Sequence, residues 1–283
     1  MAWRSGILFN VIETTSADGL KLVCRTYGEG PPMLLLAGGP GMDAAYMAPV
    51  AERLAASHTV YLPDQRGTGG SGRPPLTPDS YSLAHYVEDI EIIRVKAGVS
   101  SWPVVGHSWG GFLAMGYMAS HPEEVESLVL VGTCGPSIEF LGPALERLRA
   151  RMSSEDRAKT NALSSLGATD EAASENARIS MPLLFSDRAL GERFRDAQTG
   201  IISTWGLFSL VMDGIRKSGF DATPALQRFG GPVLVVHGDY DHIPNRYPKG
   251  IAEAAPRGRY VELERCGHFP WIEAEGEFYG LVG

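Results

Sequence analysis

Short apolar runs recur along this chain, with longer polar stretches of helical period between them. Met33-Leu34-Leu35-Leu36, Thr59-Val60-Tyr61-Leu62, Trp102-Pro103-Val104-Val105, Leu128-Val129-Leu130-Val131, Val233-Leu234-Val235-Val236 and Tyr260-Val261-Glu262-Leu263 each have the length of a strand. The first five are apolar enough for parallel strands covered on both faces. Between them, Tyr46 to Ala56, Leu83 to Lys96 and Phe112 to Ser120 read as helices. In the second of these, Leu83, Tyr86, Val87, Ile90 and Ile93 recur at spacings of three and four and mark one buried face. Two earlier segments, Leu8 to Thr14 and Leu20 to Tyr27, flank Ser16-Ala17-Asp18-Gly19, whose Asp-Gly ending is a hairpin signal. An antiparallel opening followed by a doubly wound, mostly parallel α/β sheet is expected.

The alternation stops at Cys134 and resumes after Gly230-Gly231-Pro232. In between lie polar helical stretches, Leu145 to Met152 and Glu171 to Ile179, then the apolar run from Ile201 to Phe208. Residues 1–134 and 229–283 are therefore expected to form the core, and 135–228 a helical cap inserted over the carboxyl edge of the sheet. The competing expectation is a packing elaboration that never meets a substrate. Phe140, Met181, Phe185, Trp205, Phe208 and Met212 suggest an apolar pocket, although apolar residues at helical spacing more often form a core.

Composition narrows the function class. At 283 residues, 44% hydrophobic and 20% charged, the chain has the make-up of an ordinary globular protein with one α/β domain and an insertion. A net charge of −8 without a run of Lys or Arg argues against nucleic acid or an anionic membrane as partner. A neutral or cationic small molecule, or a short peptide, fits better; oligomeric state is not legible. Met1-Ala2-Trp3-Arg4-Ser5-Gly6 does not begin an export signal, and no segment approaches the ~20 apolar residues of a membrane span. A cytoplasmic location is expected. The three cysteines, Cys24, Cys134 and Cys266, are odd in number and widely spaced, so neither a disulfide framework nor a metal site is indicated.

The chemistry centres on Gly106-His107-Ser108-Trp109-Gly110-Gly111, which sets one serine between glycines where an apolar strand meets a helix. A strand-to-helix elbow of this kind pushes the serine oxygen above the sheet, and it needs glycines because β-carbons would collide there. A serine hydroxyl is a weak nucleophile until a base removes its proton and a third group orients that base. For the acid, Asp241 in His237-Gly238-Asp239-Tyr240-Asp241-His242 is preferred, because Gly238 lets the loop turn over the sheet edge. Asp239 is its competitor, better suited to holding loop amides. For the base, His268 in Cys266-Gly267-His268-Phe269 follows the last strand, with His242 and His237 as alternatives. Oxyanion donors are expected from the backbone N–H of Gly39, within Ala37-Gly38-Gly39-Pro40-Gly41, and of Trp109. Gly67-Thr68-Gly69-Gly70-Ser71-Gly72 spells a dinucleotide-binding loop, but Arg73-Pro74-Pro75 follows, where a phosphate-binding helix would have to begin. No nucleotide is implied.

Gly38-Gly39-Pro40-Gly41, Asp64-Gln65-Arg66-Gly67 and the Ser-Trp-Gly-Gly elbow together resemble the α/β-hydrolase superfamily, and within it the proline iminopeptidase-like serine peptidases. The resemblance covers nearly all of the chain outside the cap. It implies a helical cap, no cofactor, and release of an N-terminal proline or a small aminoacyl group, with Asp64-Gln65-Arg66-Gly67 holding loops near the site. Trp205, Phe208, Met212 and His242 are the candidate substrate-contacting residues. The chain departs from that family in three places. Ala37 stands where histidine usually precedes Gly-Gly-Pro-Gly. The glutamates that grip a substrate amine are absent beside Trp205 and after Asp241, leaving Asp213 or Glu192 as substitutes. A carboxylesterase or lactonase, and a non-catalytic binder on the same fold, are the other readings. Dehalogenase and epoxide hydrolase relatives use an aspartate where Ser108 stands.

Overall fold

A computed structural model describes residues 9–165, 169–198, 204 and 206–282. Eight strands form one sheet: β1 Asn10–Thr15, β2 Lys21–Tyr27, β3 Pro32–Leu36, β4 Thr59–Asp64, β5 Trp102–His107, β6 Val125–Val131, β7 Val233–Gly238 and β8 Gly258–Leu263. Their order is β1-β2-β4-β3-β5-β6-β7-β8. The hairpin β1–β2 and the pair β2–β4 are antiparallel, and every other pair is parallel. The chain winds one way from β3 to β4 and the other way from β5 onward. A crevice therefore opens beyond the carboxyl ends of β3 and β5, where such sheets bind ligands.

Side chains alternate across the central strands with period two. Leu34, Leu36, Val104 and Val235 pack on one face with α2 Leu83–Ala97 and α3 Trp109–Ser120. Met33, Leu35, Val105 and Val236 pack on the other with α1 Ala48–Leu54 and the chain's last helices. Covering on both faces is why these strands carry so little polar sequence. The helix expected over Tyr46 to Ala56 is divided: a 3-10 turn spans Ala44–Met47, and α1 starts at Ala48 with Pro49 in its first turn. Proline lacks an N–H to continue the preceding turn but suits the start of a new helix.

Between β6 and β7, the described elements are all helical: α4 Leu141–Arg151, α5 Ser154–Ser165, α6 Asp170–Ser180, α7 Arg188–Ala197, α8 Leu207–Ser218 and α9 Thr223–Leu226, with 3-10 turns at Ile138–Phe140 and Met181–Leu184. An isolated bridge joins Ser137 to Asp221 at the base of the insertion, and Ala222 N–H donates to Pro136 C=O at 2.9 Å. After β7 come α10 Arg246–Ala254, β8, α11 Pro270–Glu273 and α12 Glu275–Val282. All three cysteines are buried free thiols. No described helix is long and apolar enough to cross a membrane. The glycine-rich loop after β4 closes on itself, with Gly67 N–H donating to Gly72 C=O at 2.9 Å and Gly72 N–H donating to Lys21 C=O at 2.8 Å. No helix follows until Leu83, so nothing is arranged to receive a pyrophosphate.

Candidate active site

The elbow joins β5 to α3. Ser108 has φ 56° and ψ −121°, a conformation costly for a residue with a β-carbon. It is held there by its N–H, which donates to Val131 C=O at 2.9 Å, and by its own C=O, which accepts from Gly111 N–H at 3.0 Å. The turn is too tight for side chains: a Cβ at Gly106 would lie 2.5 Å from Gly110 C=O, and one at Gly110 would run into the Leu36 carbonyl. Trp109 opens α3, where helix geometry supplies no partner for its N–H. The neighbouring loop after β3 carries Gly38, Gly39 and Pro40, all lining the same cavity as Ser108. At Gly39, φ is +132° and a Cβ would meet the N–H groups of Gly41 and Met42, so glycine is required.

Asp64-Gln65-Arg66-Gly67 braces these loops. Gln65 accepts from the Trp109 indole N–H at 2.8 Å and donates to Ala37 C=O at 2.8 Å, tying the elbow to the β3 loop. Arg66 grips Asp89 through two hydrogen bonds of 2.7 and 2.8 Å and also donates to Ser80 C=O.

Beyond β7, Asp241 N–H turns back on Gly238 C=O at 3.1 Å and brings the carboxylate under the sheet edge. Asp241 Oδ1 accepts from Ile243 N–H at 2.9 Å and Oδ2 from His268 Nδ1 at 2.8 Å. Burial works against its ionisation, but the nearby His268 and His237 rings and the contacts from His242 and His268 outweigh it and hold the carboxyl well below its usual range. An ionised carboxylate only accepts, so the contact with Asp241 requires a proton on His268 Nδ1, and a neutral ring held this way has its lone pair on Nε2. Asp239 is used otherwise, accepting from Cys266 N–H at 3.1 Å. His268 is steadied on its backbone: its N–H donates to Leu184 C=O at 2.8 Å, and Gly267 N–H donates to the Glu273 carboxylate at 2.9 Å.

Three imidazoles surround Asp241. Besides His268, His237 Nδ1 lies 3.8 Å from Oδ2, and His242 Nδ1 lies 2.9 Å from Oδ1 without the alignment of a hydrogen bond. Among the described residues, Asp241, His242 and His268 are the metal-ligand types grouped closely enough to hold an ion, with donor atoms within 4.8 Å. Both Asp241 oxygens already accept hydrogen bonds from Ile243 and His268, so the grouping fits an oriented base better than a coordination shell.

Ser108 and His268 line one cavity of about 760 Å³, with walls from the sheet-edge loops and from α4, α5, α6 and α8. Phe208, Met212, His242, Phe140 and Met181 line it. Phe185 does not: it stacks on Phe269 at 4.8 Å and packs against Phe194, because the 3-10 turn at Met181–Leu184 directs it into the core. Trp205 lies outside the described residues. Asp213 is exposed and Glu192 half-buried, they pair with Arg216 and Arg188, and neither lines the cavity. Arg151 pins the insertion to the loop after β7, donating to Leu183 C=O at 2.9 Å and to Tyr240 C=O at 2.5 Å.

A family profile described as alpha/beta hydrolase fold matches residues 31–275. The chain belongs to this family. The proline iminopeptidase of Lactobacillus helveticus is 26% identical over 266 residues, covering 90% of this chain and 89% of that protein. Among solved structures, an alpha/beta fold family hydrolase from Bacillus anthracis superposes with a TM-score of 0.76 at 20% identity, over 98% of this chain and 99% of the other. An esterase from Exiguobacterium antarcticum gives 0.73 at 18% identity, over 95% and 97%. The resemblance in the motifs thus extends to a proline iminopeptidase-like α/β hydrolase across most of the chain.

Two residues at this α/β-hydrolase site went unread in the sequence. The sequence pattern places Tyr46 in a helix and gives His107 no role beyond its position in the elbow. A polar residue ending an otherwise apolar strand, as His107 does, was the available signal. Burial pushes the His107 imidazole well below its ordinary value, and burial likewise lowers His237 and His242. In the unfolded chain these rings take up protons near the ordinary pKa of about 6.5. Below that pH the unfolded state binds more protons, so the stability these neutral rings confer is complete above about pH 6.5 and is lost as pH falls. Thermal melts should therefore show Tm falling more steeply from pH 6.5 to 5 than from pH 8 to 6.5; equal slopes would contradict buried neutral imidazoles.

Proposed function

We propose that this α/β hydrolase is a cytoplasmic serine hydrolase of small, neutral, apolar carboxylic esters, working through an acyl-enzyme. The observation that carries this reading is the cavity over Ser108, which among the described residues is lined by no Asp, Glu, Lys or Arg. The residues outside that set contain no Asp or Glu either, so they bring no carboxylate to it. A free α-ammonium buried there would lack a counter-charge, at a cost of several kcal/mol (~3–5). A neutral ester loses nothing comparable.

In the reaction, His268 Nε2 takes the proton of Ser108 Oγ as that oxygen attacks the ester carbonyl. Asp241 accepts from Nδ1–H and stabilises the imidazolium. The backbone N–H groups of Gly39 and Trp109 receive the oxyanion. The intermediate collapses, His268 returns the proton to the departing alcohol, and water activated by the same ring releases the acid. No metal or organic cofactor is required. The helical insertion acts as a cap, and Phe208, Met212, Phe140 and Met181 contact the apolar parts of the substrate.

The second reading is an aminopeptidase or amidase acting on an N-terminal proline or small aminoacyl group, favoured by the likeness to the Lactobacillus proline iminopeptidase. Turnover of p-nitrophenyl butyrate compared with prolyl and alanyl p-nitroanilides separates the two. Ester hydrolysis with no detectable anilide hydrolysis is expected. A higher kcat/KM on the prolyl anilide would replace the esterase reading with the peptidase one.

A further inference from the structure

We propose that Tyr46 and His107 form a buried strap that fixes the Gly38–Gly39 backbone against Ser108 and His268, making them positioning residues for the reaction. The inference rests on the reading of Ser108 given above. Gly38 N–H donates to Tyr46 Oη at 2.6 Å, Tyr46 Oη lies 2.7 Å from His107 Nδ1, and His107 Nε2 lies 2.9 Å from His268 C=O. These three contacts join the loop after β3, the residue before Ser108 and the loop after β8. The elements involved are far apart in the chain, His107 and His268 being separated by 161 positions.

The chemistry allows one proton arrangement for a neutral His107. The His268 carbonyl can only accept, so His107 donates from Nε2. Its Nδ1 is then an acceptor, and Tyr46 must donate to it. Gly38 N–H can only donate, and the Tyr46 oxygen has lone pairs to receive it. Every group on the strap is thereby satisfied in a setting where Tyr46 is 7% exposed and His107 2%. Burial raises the Tyr46 hydroxyl and lowers the His107 ring, so both stay neutral in the form the strap needs.

Packing holds the strap in place. The Trp271 ring stacks on Tyr46 at 6.3 Å and meets His107 edge-on at 4.7 Å. A Cβ at Gly38 would lie 2.8 Å from Tyr46 Oη and 3.1 Å from Ser108 Cβ, so glycine there is what lets the hydroxyl reach the backbone. Gly39, whose N–H is assigned to the oxyanion, is the next residue. Oxyanion donors work only when held at about 2.7–3.1 Å from the developing charge. Cutting the hydroxyl from Tyr46 frees Gly38 to drift and carries Gly39 with it.

The test is Tyr46→Phe in the full chain, assayed with p-nitrophenyl butyrate. The expected result is a kcat lower by about 10- to 100-fold, short of complete loss of a donor, with KM changed less than about twofold and affinity for an alkylboronic acid reduced in parallel with kcat. His107→Gln keeps an amide able to donate toward His268 C=O, and it should recover part of the kcat lost in His107→Ala. A Tyr46→Phe kcat within twofold of wild type overturns the strap. So does a kcat loss with unchanged boronate affinity, or equal losses in the two His107 variants. The His107 pair carries the test if Tyr46→Phe does not fold. Turnover surviving in Ser108→Ala would remove the underlying reading of the site, whereas an inert Ser108→Ala beside an unaffected Tyr46→Phe would remove the strap alone.

Discussion

Ser108→Ala is expected to abolish ester turnover, lowering kcat by about 10⁵- to 10⁶-fold while leaving the fold intact. The strain at this residue belongs to its backbone, φ 56°, and alanine has the same β-carbon, so the elbow should persist with its Val131 and Gly111 hydrogen bonds. What disappears is the hydroxyl of a residue that lines the same cavity as His268. Residual rate then comes only from substrate binding and the backbone donors. Steady-state assays with p-nitrophenyl butyrate, together with loss of labelling by a fluorophosphonate probe, provide the measurement. A variant that keeps a tenth of the activity would show that the nucleophile lies elsewhere.

Asp241→Asn should lower kcat by about 10⁴-fold with little change in KM. The carboxylate now accepts on both oxygens, from Ile243 N–H and from His268 Nδ1–H. An amide has one accepting oxygen. If that oxygen keeps Ile243, the NH₂ group faces Nδ1, which must then present a lone pair. The His268 proton moves to Nε2, the nitrogen needed to accept from Ser108. The substitution also removes the negative charge around which His237, His242 and His268 are grouped. Asp239→Asn, which weakens only the contact to Cys266 N–H, is the matched control and should cost less than about tenfold. Equal losses in the two variants would transfer the acid's role away from Asp241.

Much of this was legible without coordinates, and for identifiable reasons. Parallel strands buried on both faces need runs such as Leu34-Leu35-Leu36 and Val233-Leu234-Val235-Val236, which stand out in any chain. The elbow is legible because its crowding excludes every side chain at positions 106, 110 and 111 and so imposes glycine. The candidate acid and base could be narrowed by chain order to loops after two strands. Choosing between Asp239 and Asp241 still depended on how a turn at Gly238 folds.

Other features had no local signature. Phe185 and Met181 have similar apolar character, yet one stacks on Phe269 in the core and the other faces the cavity. Asp213 and Glu192 looked available to a substrate amine and instead point outward to arginines on their own helices. Tyr46 sat inside a stretch of helical period that a proline divides.

The sequence by itself determined the sheet, its winding and the elbow serine, because hydrophobic period and steric exclusion act between residues close along the chain. Only the tertiary structure decided that three imidazoles surround one carboxylate, that Tyr46 reaches Gly38 and His107, and that the described residues lining the cavity include no Asp, Glu, Lys or Arg. Those are relations between segments far apart in sequence, set by how the insertion and the edge loops pack together, and no local pattern encodes them.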